Sequence, residues 1–349
     1  MFRKLMLTFI VILFLFAGCQ KAEEKEAGSF EELDKIKLEK PMSITSMVFA
    51  NNKIVAFNQG DKTIYLLDLK GNVIDKYKKI GKGPGEFTTT RGVNLLGYSR
   101  YLYVIDGMTN KIMKFNLDKK IDFVDEYYIE VSQVSPVGFV DSKENIYLAT
   151  MISDHVILKV NSNGEIINKF LKKEKESFEN MNANQIRDYL VSNLYYPIIQ
   201  ENTMVLTGFL SKKLKFYKKQ NDNFKLLKET EMQGLKGNVY KSETRESSNK
   251  RSVSIEGIGY IGSWIHRDKY LVGVSKHDFS ESFVNCFNLN GKFIGNIELE
   301  RDINKKYESM FFNKKQDRFF YQVSRRKNEK EDYELDTDYL YIGKLEVYE

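Results

Sequence analysis

Four side chains in this sequence are candidate metal ligands by both residue type and position. His155 and His277 lie in corresponding loops, each after a short apolar run, and histidine nitrogens are common zinc ligands. Asp61 and Asp106 also follow short apolar runs, where carboxylates suit calcium but where capping of a turn is the simpler role. The third histidine, His266, falls in a turn between a first and a second run, which is expected on the opposite face from His155 and His277. This argues against a three-histidine zinc site. The sequence therefore predicts no cofactor, with zinc or calcium as the open alternative.

Signatures of catalysis are missing from the sequence. It contains no Gly-x-Ser-x-Gly elbow, no His-Glu-x-x-His helix and no Cys-x-x-Cys pair. We therefore assign no catalytic residue, and an enzyme is not the favoured interpretation. A metal-dependent hydrolase or lyase remains the competing class.

A glycine-rich loop, Gly-Lys-Gly-Pro-Gly-Glu-Phe at residues 81–87, is the most distinctive motif. Its glycines permit tight backbone geometry, and Phe87 is expected to wedge between neighbouring sheets. A phosphate cradle is the alternative, but no helix follows the loop. Lys82 and Glu86, with Arg91 and Tyr195, are the candidate ligand-binding residues, because charged groups orient and aromatic rings stack on a glycan or peptide.

The elements that must position these residues repeat along the chain. Six runs with strand character each follow a polar turn, and a further run with strand character comes after each of them. The six runs are Lys53–Phe57, Tyr101–Ile105, Asn145–Ala149, Thr203–Thr207, Tyr270–Val274 and Arg318–Gln322. Repetition of short strands and turns predicts a single all-β, six-bladed β-propeller of four-stranded antiparallel blades. The last unit lacks a fourth strand, which residues 30–38 can supply from the N-terminus.

Two stretches interrupt the repeat. Residues 171–190 have the pattern of a helical insertion with Ser177 as a possible cap, and residues 236–252 form a second, polar insertion. The alternative all-β architecture, two stacked sandwiches, would need a linker near the first of these. Both insertions account for the longer spacings, so we predict one propeller over residues 30–349.

The N-terminus has the pattern of an export signal. Residues 1–18 begin with Arg3 and Lys4 and continue with an apolar run that is shorter than the roughly 20 residues needed to span a bilayer. An uncleaved membrane helix is the alternative. Residues 19–29 are charged and carry no large apolar side chain until the propeller begins, which predicts a tether or a short helix.

Charge and cysteine content exclude two classes of protein. The formal charge of +6 falls by two, to +4, when residues 1–18 are removed, and charges of both signs are interleaved, so no nucleic-acid partner is expected. Cys19 and Cys286 are the only cysteines, so no disulfide framework holds the fold. Cys286 lies in an apolar run and is predicted to be a buried, inert thiol.

Two motifs also resemble known families. Residues 80–116, IGKGPGEFTTTRGVNLLGYSRYLYVIDGMTNKIMKFN, resemble an NHL repeat, and their loop is similar to that of bacterial six-bladed propeller lipoproteins. Phe16-Ala17-Gly18-Cys19 resembles a lipobox, which implies cleavage before Cys19 and lipidation of its thiol. The resemblance implies anchoring to the membrane of the bacterial cell envelope, in the outer membrane if the cell has two. We expect a binding or scaffold module for an envelope protein or an oligosaccharide.

Overall fold

Short runs of β-branched and aromatic residues pair into antiparallel sheets along the chain. The structure is a computed structural model that describes residues 26–88, 93–107, 109–130, 134–150, 154–172, 182, 185, 195–200, 202–208, 212–221, 223–234, 241–247, 250–256, 259–275, 282–299, 305–326 and 333–348. Six propeller sheets follow one another along the chain, and in the first five the strands lie in chain order from the inside outward. The predicted all-β, six-bladed fold with four-stranded antiparallel blades is confirmed.

The blades are numbered along the chain. The N-terminal strand is β1 (Gly28–Lys37). Blade 1 contains β2 (Ile44–Ala50), β3 (Lys53–Asn58), β4 (Thr63–Leu67) and β5 (Val73–Tyr77), and blade 2 contains β6 (Val93–Tyr98), β7 (Tyr101–Asp106), β8 (Lys111–Asn116) and β9 (Asp122–Tyr128). Blade 3 contains β10 (Val134–Val140), β11 (Ile146–Thr150), β12 (His155–Val160) and β13 (Ile166–Lys172).

The second half of the chain repeats this arrangement. Blade 4 contains β14 (Tyr195–Gln200), β15 (Thr203–Gly208), β16 (Lys213–Gln220) and β17 (Asn223–Glu231), and a hairpin of β18 (Lys241–Ser247) and β19 (Lys250–Glu256) follows it. Blade 5 contains β20 (Gly259–His266), β21 (Lys269–Ser275), β22 (Ser282–Asn288) and β23 (Phe293–Glu298). In blade 6, β24 (Lys305–Asn313), β25 (Arg318–Arg326) and β27 (Tyr339–Val347) lie in order from the inside outward and β1 is the outermost strand, while the short β26 (Tyr333–Leu335) pairs with β25.

The first strands of the six blades line the axis of the ring. Each contacts the first strand of the next blade, in the order β2, β6, β10, β14, β20 and β24, and β24 contacts β2 again. All six predicted second runs lie in second strands of blades, from β3 to β25. Turns between first and second strands consequently emerge on one face of the ring, which we call the turn face. Loops that lead into a blade emerge on the other, which we call the loop face.

The N-terminal strand closes the ring, as the sequence predicts. β1 pairs antiparallel with β27 from Gly28 opposite Val347 to Lys37 opposite Tyr339. Folded chain begins earlier than the predicted boundary at residue 30, because the Ala27 amide donates to the Asn296 carbonyl at 2.8 Å. The last residues of the predicted tether, from 26 to 29, therefore belong to the propeller. Residues 1–25, with Cys19, lie outside the described residues.

Tight turns set the registers of the strands. Asn51 and Asn52, between β2 and β3, both adopt positive φ (50° and 57°), the geometry of a type I′ hairpin turn. Gly71, Gly164 and Gly291 each lie in the turn before a fourth strand, at φ between 78° and 88°, a conformation that glycine adopts without strain.

Aromatic side chains fill the spaces between blades. Phe87 follows the glycine loop, is 1 % exposed, and meets Phe57 of blade 1 edge to face at 6.0 Å between ring centroids. Its hydrophobic cluster also includes Val104 and Phe115 of blade 2. The predicted wedge between neighbouring sheets is confirmed.

The two predicted insertions differ in what the structure describes. Leu171 and Lys172 end β13, so the first insertion begins after them, and most of 171–190, with Ser177, lies outside the described residues. Asn182 and Gln185 do exchange side-chain to backbone hydrogen bonds of 2.9 and 3.0 Å, the pattern of a helix N-terminus. The hairpin β18–β19 begins within the second predicted insertion, extends beyond its predicted end at residue 252 to Glu256, and pairs with no blade among the described strands.

Cys286 lies on β22 with none of its surface exposed. Burial raises the pKa of its thiol to about 12, so the thiol stays protonated and unreactive near neutral pH, as predicted. Within the described part of the chain, no helix has the length and apolar character needed to cross a membrane.

Candidate functional site

A cavity of about 670 Å³ opens on the turn face, between the inner strands of blades 5, 6, 1 and 2. Its rim is formed by the turn at Asn51 and Asn52 in blade 1, by Ser99 in blade 2 and by residues 313–316 in blade 6. A volume of this size is in the range of small-molecule and oligosaccharide sites. The ring thus offers a concave surface at the end opposite the glycine loop.

Aromatic rings form one wall of the cavity. Phe49, Phe311 and Phe312 are partly exposed there, and Trp264 is 8 % exposed. Buried neighbours hold these rings, since Phe312 lies 4.7 Å from Phe319 at an interplanar angle of 32°. Rings fixed in this way present flat apolar faces at little cost in conformational entropy when a ligand binds.

Amide side chains form the adjacent rim. The Asn313 side-chain oxygen accepts hydrogen bonds from the backbone N–H groups of Lys315 (3.1 Å) and Gln316 (3.3 Å). The Asn313 side-chain NH₂ group donates to the Gln316 side-chain oxygen at 3.0 Å. The Lys315 ammonium donates to the Asn52 side-chain oxygen at 2.6 Å and so joins blade 6 to blade 1. These bonds order the rim before any ligand arrives.

His266 lies beside this site, on the turn face as predicted. Its ring meets Phe312 edge to face at 5.3 Å, and its Nδ1 is 3.4 Å from the Asp317 carboxylate. Burial lowers the pKa of His266 below 6.5 despite the nearby carboxylate, so the ring is neutral at pH 7. It therefore acts as a polar packing group next to the aromatic wall.

On the loop face, the glycine loop is held from inside. The Glu86 carboxylate accepts the Gly83 N–H at 2.8 Å, and the fully buried Lys111 donates to the Gly83 carbonyl at 3.0 Å. Lys111 also lies 3.2 Å from Glu126, whose carboxylate accepts the Gly85 N–H at 2.7 Å. The Glu86 carboxylate therefore stabilises the loop.

Of the other candidate ligand-binding residues, one is exposed on the loop, one is buried and one lies outside the described residues. Lys82 is exposed on the loop, and Arg91 lies outside the described residues. Tyr195 begins β14 as expected but is 3 % exposed, packed with Tyr147 and Phe170 between blades 3 and 4. The expectation that its ring is free to stack on a ligand is wrong, because the neighbouring blade covers it.

The three candidate metal ligands that the structure describes, Asp61, Asp106 and His155, lie in separate blades. Asp106 is fully buried and accepts both the N–H (2.8 Å) and the hydroxyl (2.7 Å) of Thr88, so it ties the loop before β6 to blade 2. His155 Nδ1 is 2.8 Å from the Asp154 carboxylate in blade 3. His277 lies outside the described residues.

Asp61 has protein partners as well. Its carboxylate accepts hydrogen bonds from Tyr65 (2.5 Å) and Lys40 (3.0 Å). Burial opposes ionisation of Asp61, but these two hydrogen bonds outweigh it and hold the pKa below 3.8. Nowhere in the described chain do three His, Cys, Asp or Glu side chains converge as a metal site would require.

The sequence pattern did not single out the residues of the cavity. Trp264 and the turn after Asn313 are far apart in the sequence, and they meet at one cavity only because neighbouring blades pack against each other. A usable signal was present in the pair Phe311–Phe312 followed directly by Asn313, Lys314, Lys315 and Gln316. Aromatic, amide and cationic groups next to each other in a first-to-second-strand turn are typical of a binding rim.

Comparisons with known proteins agree with the fold. The chain is similar to a protein from Bacteroides fragilis (12 % identity, 94 % of this chain and 98 % of that chain, TM-score 0.60). It is also similar to a DUF4221-family protein from Bacteroides vulgatus (12 % identity, 93 % and 99 % covered, TM-score 0.57). No curated protein sequence matches it. Residues 33–266 match the model of DUF5128, described as a 6-bladed beta-propeller. The chain belongs to this DUF5128 family of six-bladed propellers.

Proposed function

We propose that this protein is an exported, lipid-anchored propeller that binds an oligosaccharide at the bacterial cell envelope. The observation that carries the proposal is the cavity on the turn face, where the partly exposed Phe312 lies next to the amides of Asn52 and Gln316. Sugar rings have apolar faces that stack on aromatic side chains and hydroxyl groups that amides bind. The site contains groups for both kinds of contact and no assembled catalytic set.

The proposed location at the cell envelope rests on the N-terminal sequence. Residues 1–18 have the pattern of an export signal and Cys19 follows a lipobox-like sequence, and the Bacteroides fragilis relative is described provisionally as an exported protein. The similarity of residues 80–116 to an NHL repeat and to propeller lipoproteins supports the same proposal. Replacement of Cys19 by alanine tests it: the variant is expected in the soluble fraction and the wild type in the membrane fraction. Membrane association of both would contradict lipid anchoring.

Binding to an array of oligosaccharides, followed by titration calorimetry of the best ligand, tests the proposed activity. Phe312→Ala is expected to weaken binding about tenfold, because the stacked ring is lost. Phe123→Ala is the matched control, since this ring lies on the outer strand β9 and is 37 % exposed. Thermal unfolding of both variants confirms that they are folded. Equal affinities of the two variants, or no binding of any oligosaccharide, would refute the assignment.

A further inference from the structure

The charges on the cavity walls all have one sign. Lys53, Lys314 and Lys315 line the cavity, and no aspartate or glutamate is among the residues that line it. None of these three ammonium groups forms an ion pair with a carboxylate among the described residues. Elsewhere in the ring, lysines such as Lys111 and Lys114 lie within 3.2 Å of glutamates.

Asp118, whose backbone carbonyl accepts from Lys53, and Asp317, which follows the rim residue Gln316, have side-chain carboxylates that lie close to other basic groups. The Asp118 carboxylate lies 3.6 Å from the Arg100 guanidinium, and the Asp317 carboxylate lies 3.4 Å from His266. Neither carboxylate forms an ion pair with Lys53, Lys314 or Lys315 among the described residues. Positive charge in a concave surface with apolar walls attracts anions more strongly than the same charge on an open surface.

Two of the lysines are held in place with donors to spare. An ammonium group has three N–H donors. Lys53 donates to the backbone carbonyls of Leu117 (2.8 Å) and Asp118 (2.6 Å), which leaves one donor, and Lys315 donates to Asn52, which leaves two. Lys314 is exposed on the same rim and completes a cationic arc around the aromatic wall.

Resting on the proposed function, we propose that the oligosaccharide bound in this cavity is an anionic one. Carboxylate or sulfate groups on the sugar pair with Lys53, Lys314 and Lys315, while one sugar ring stacks on Phe312. The aromatic wall selects a glycan, and the lysines select its charge. A neutral glycan would leave the cationic arc unpaired and would bind more weakly.

Titration calorimetry with three probes tests the inference: an oligogalacturonate, a heparin-derived sulfated oligosaccharide and a neutral cello-oligosaccharide. We expect at least one anionic probe to bind about tenfold or more tightly than the neutral one, and this preference to shrink as sodium chloride is raised. The carboxylated and sulfated probes distinguish the two sources of negative charge. Lys314→Ala is expected to weaken the anionic probe about fivefold without changing the neutral probe.

The control variant is Lys225→Ala, an exposed lysine on the outer strand β17, which is expected to bind as the wild type does. If the neutral probe binds as tightly as the anionic ones, the charge inference is overturned and glycan binding stands. If no glycan binds, both proposals fail. If polyglutamate binds and the glycans do not, the partner is an acidic peptide and the inference is also overturned.

Discussion

Phe87 gives the sharpest test of how the ring is held together. Its ring is 1 % exposed and lies between blades 1 and 2 in a cluster that includes Phe57, Val104 and Phe115. Replacement by alanine removes the transfer free energy of a buried aromatic side chain, about 2–3 kcal/mol, and leaves a cavity between two sheets. We expect Phe87→Ala to lower the free energy of unfolding by about 4 kcal/mol.

Urea unfolding followed by circular dichroism measures this change, because a shift in midpoint with an unchanged m-value reports stability alone. A leucine at position 87 keeps most of the volume and is expected to cost less than about 2 kcal/mol. Phe123→Ala, at a ring that is 37 % exposed, is expected to cost about 1 kcal/mol. If Phe87→Ala lies within about 1 kcal/mol of wild type, Phe87 does not wedge the two blades together and the reasoning fails.

Three further predictions concern the closure of the ring by β1, the ionisation of Glu144 and the metal content of the protein. Deletion of residues 30–38 removes most of β1 and leaves the edge of β27 open, so we expect an aggregated or unfolded protein by size-exclusion chromatography; a soluble, monomeric product would contradict strand closure. Glu144 accepts hydrogen bonds from Lys114 (2.8 Å) and Tyr103 (2.7 Å), which lower its pKa below 4.5, so its contribution to stability is complete above that pH and is lost as the pH falls through the folded-state pKa. Glu144→Gln is therefore expected to cost about 1 kcal/mol at pH 7 in urea unfolding, and this cost is expected to shrink progressively as the pH falls below 4.5; a pH-independent difference would contradict this. Elemental mass spectrometry of purified protein is expected to find no stoichiometric zinc or calcium, and one equivalent of either would revive the metal-dependent hydrolase or lyase.

The repeat of the blades could be predicted because residues close together in the sequence determine each turn and strand. Pairs such as Asn51-Asn52 and the glycine at 291 fix turns, and the alternation around them fixes strands, so blade number and order follow from sequence alone. The wedge role of Phe87 could be predicted for the same reason, since the loop and the blade it enters are adjacent in the chain.

The cavity on the turn face could not be predicted, because residues far apart in the sequence form it. Asn52 and Lys315 meet only when the last blade closes against the first, and this contact forms part of the cavity rim. Tyr195 appeared free because its covering residues, Tyr147 and Phe170, belong to the preceding blade. Glu86 looked like a ligand-binding charge, but its partner is the backbone of its own loop.

Hydrogen–deuterium exchange with and without a bound oligosaccharide tests most directly that the ligand surface is the turn face. The account predicts slower exchange in the turns at residues 51–53 and 313–317, which form or adjoin the rim of the cavity, and no change in the glycine loop at residues 80–88. Slower exchange in the glycine loop with unchanged turns would place the ligand on the opposite face and contradict it.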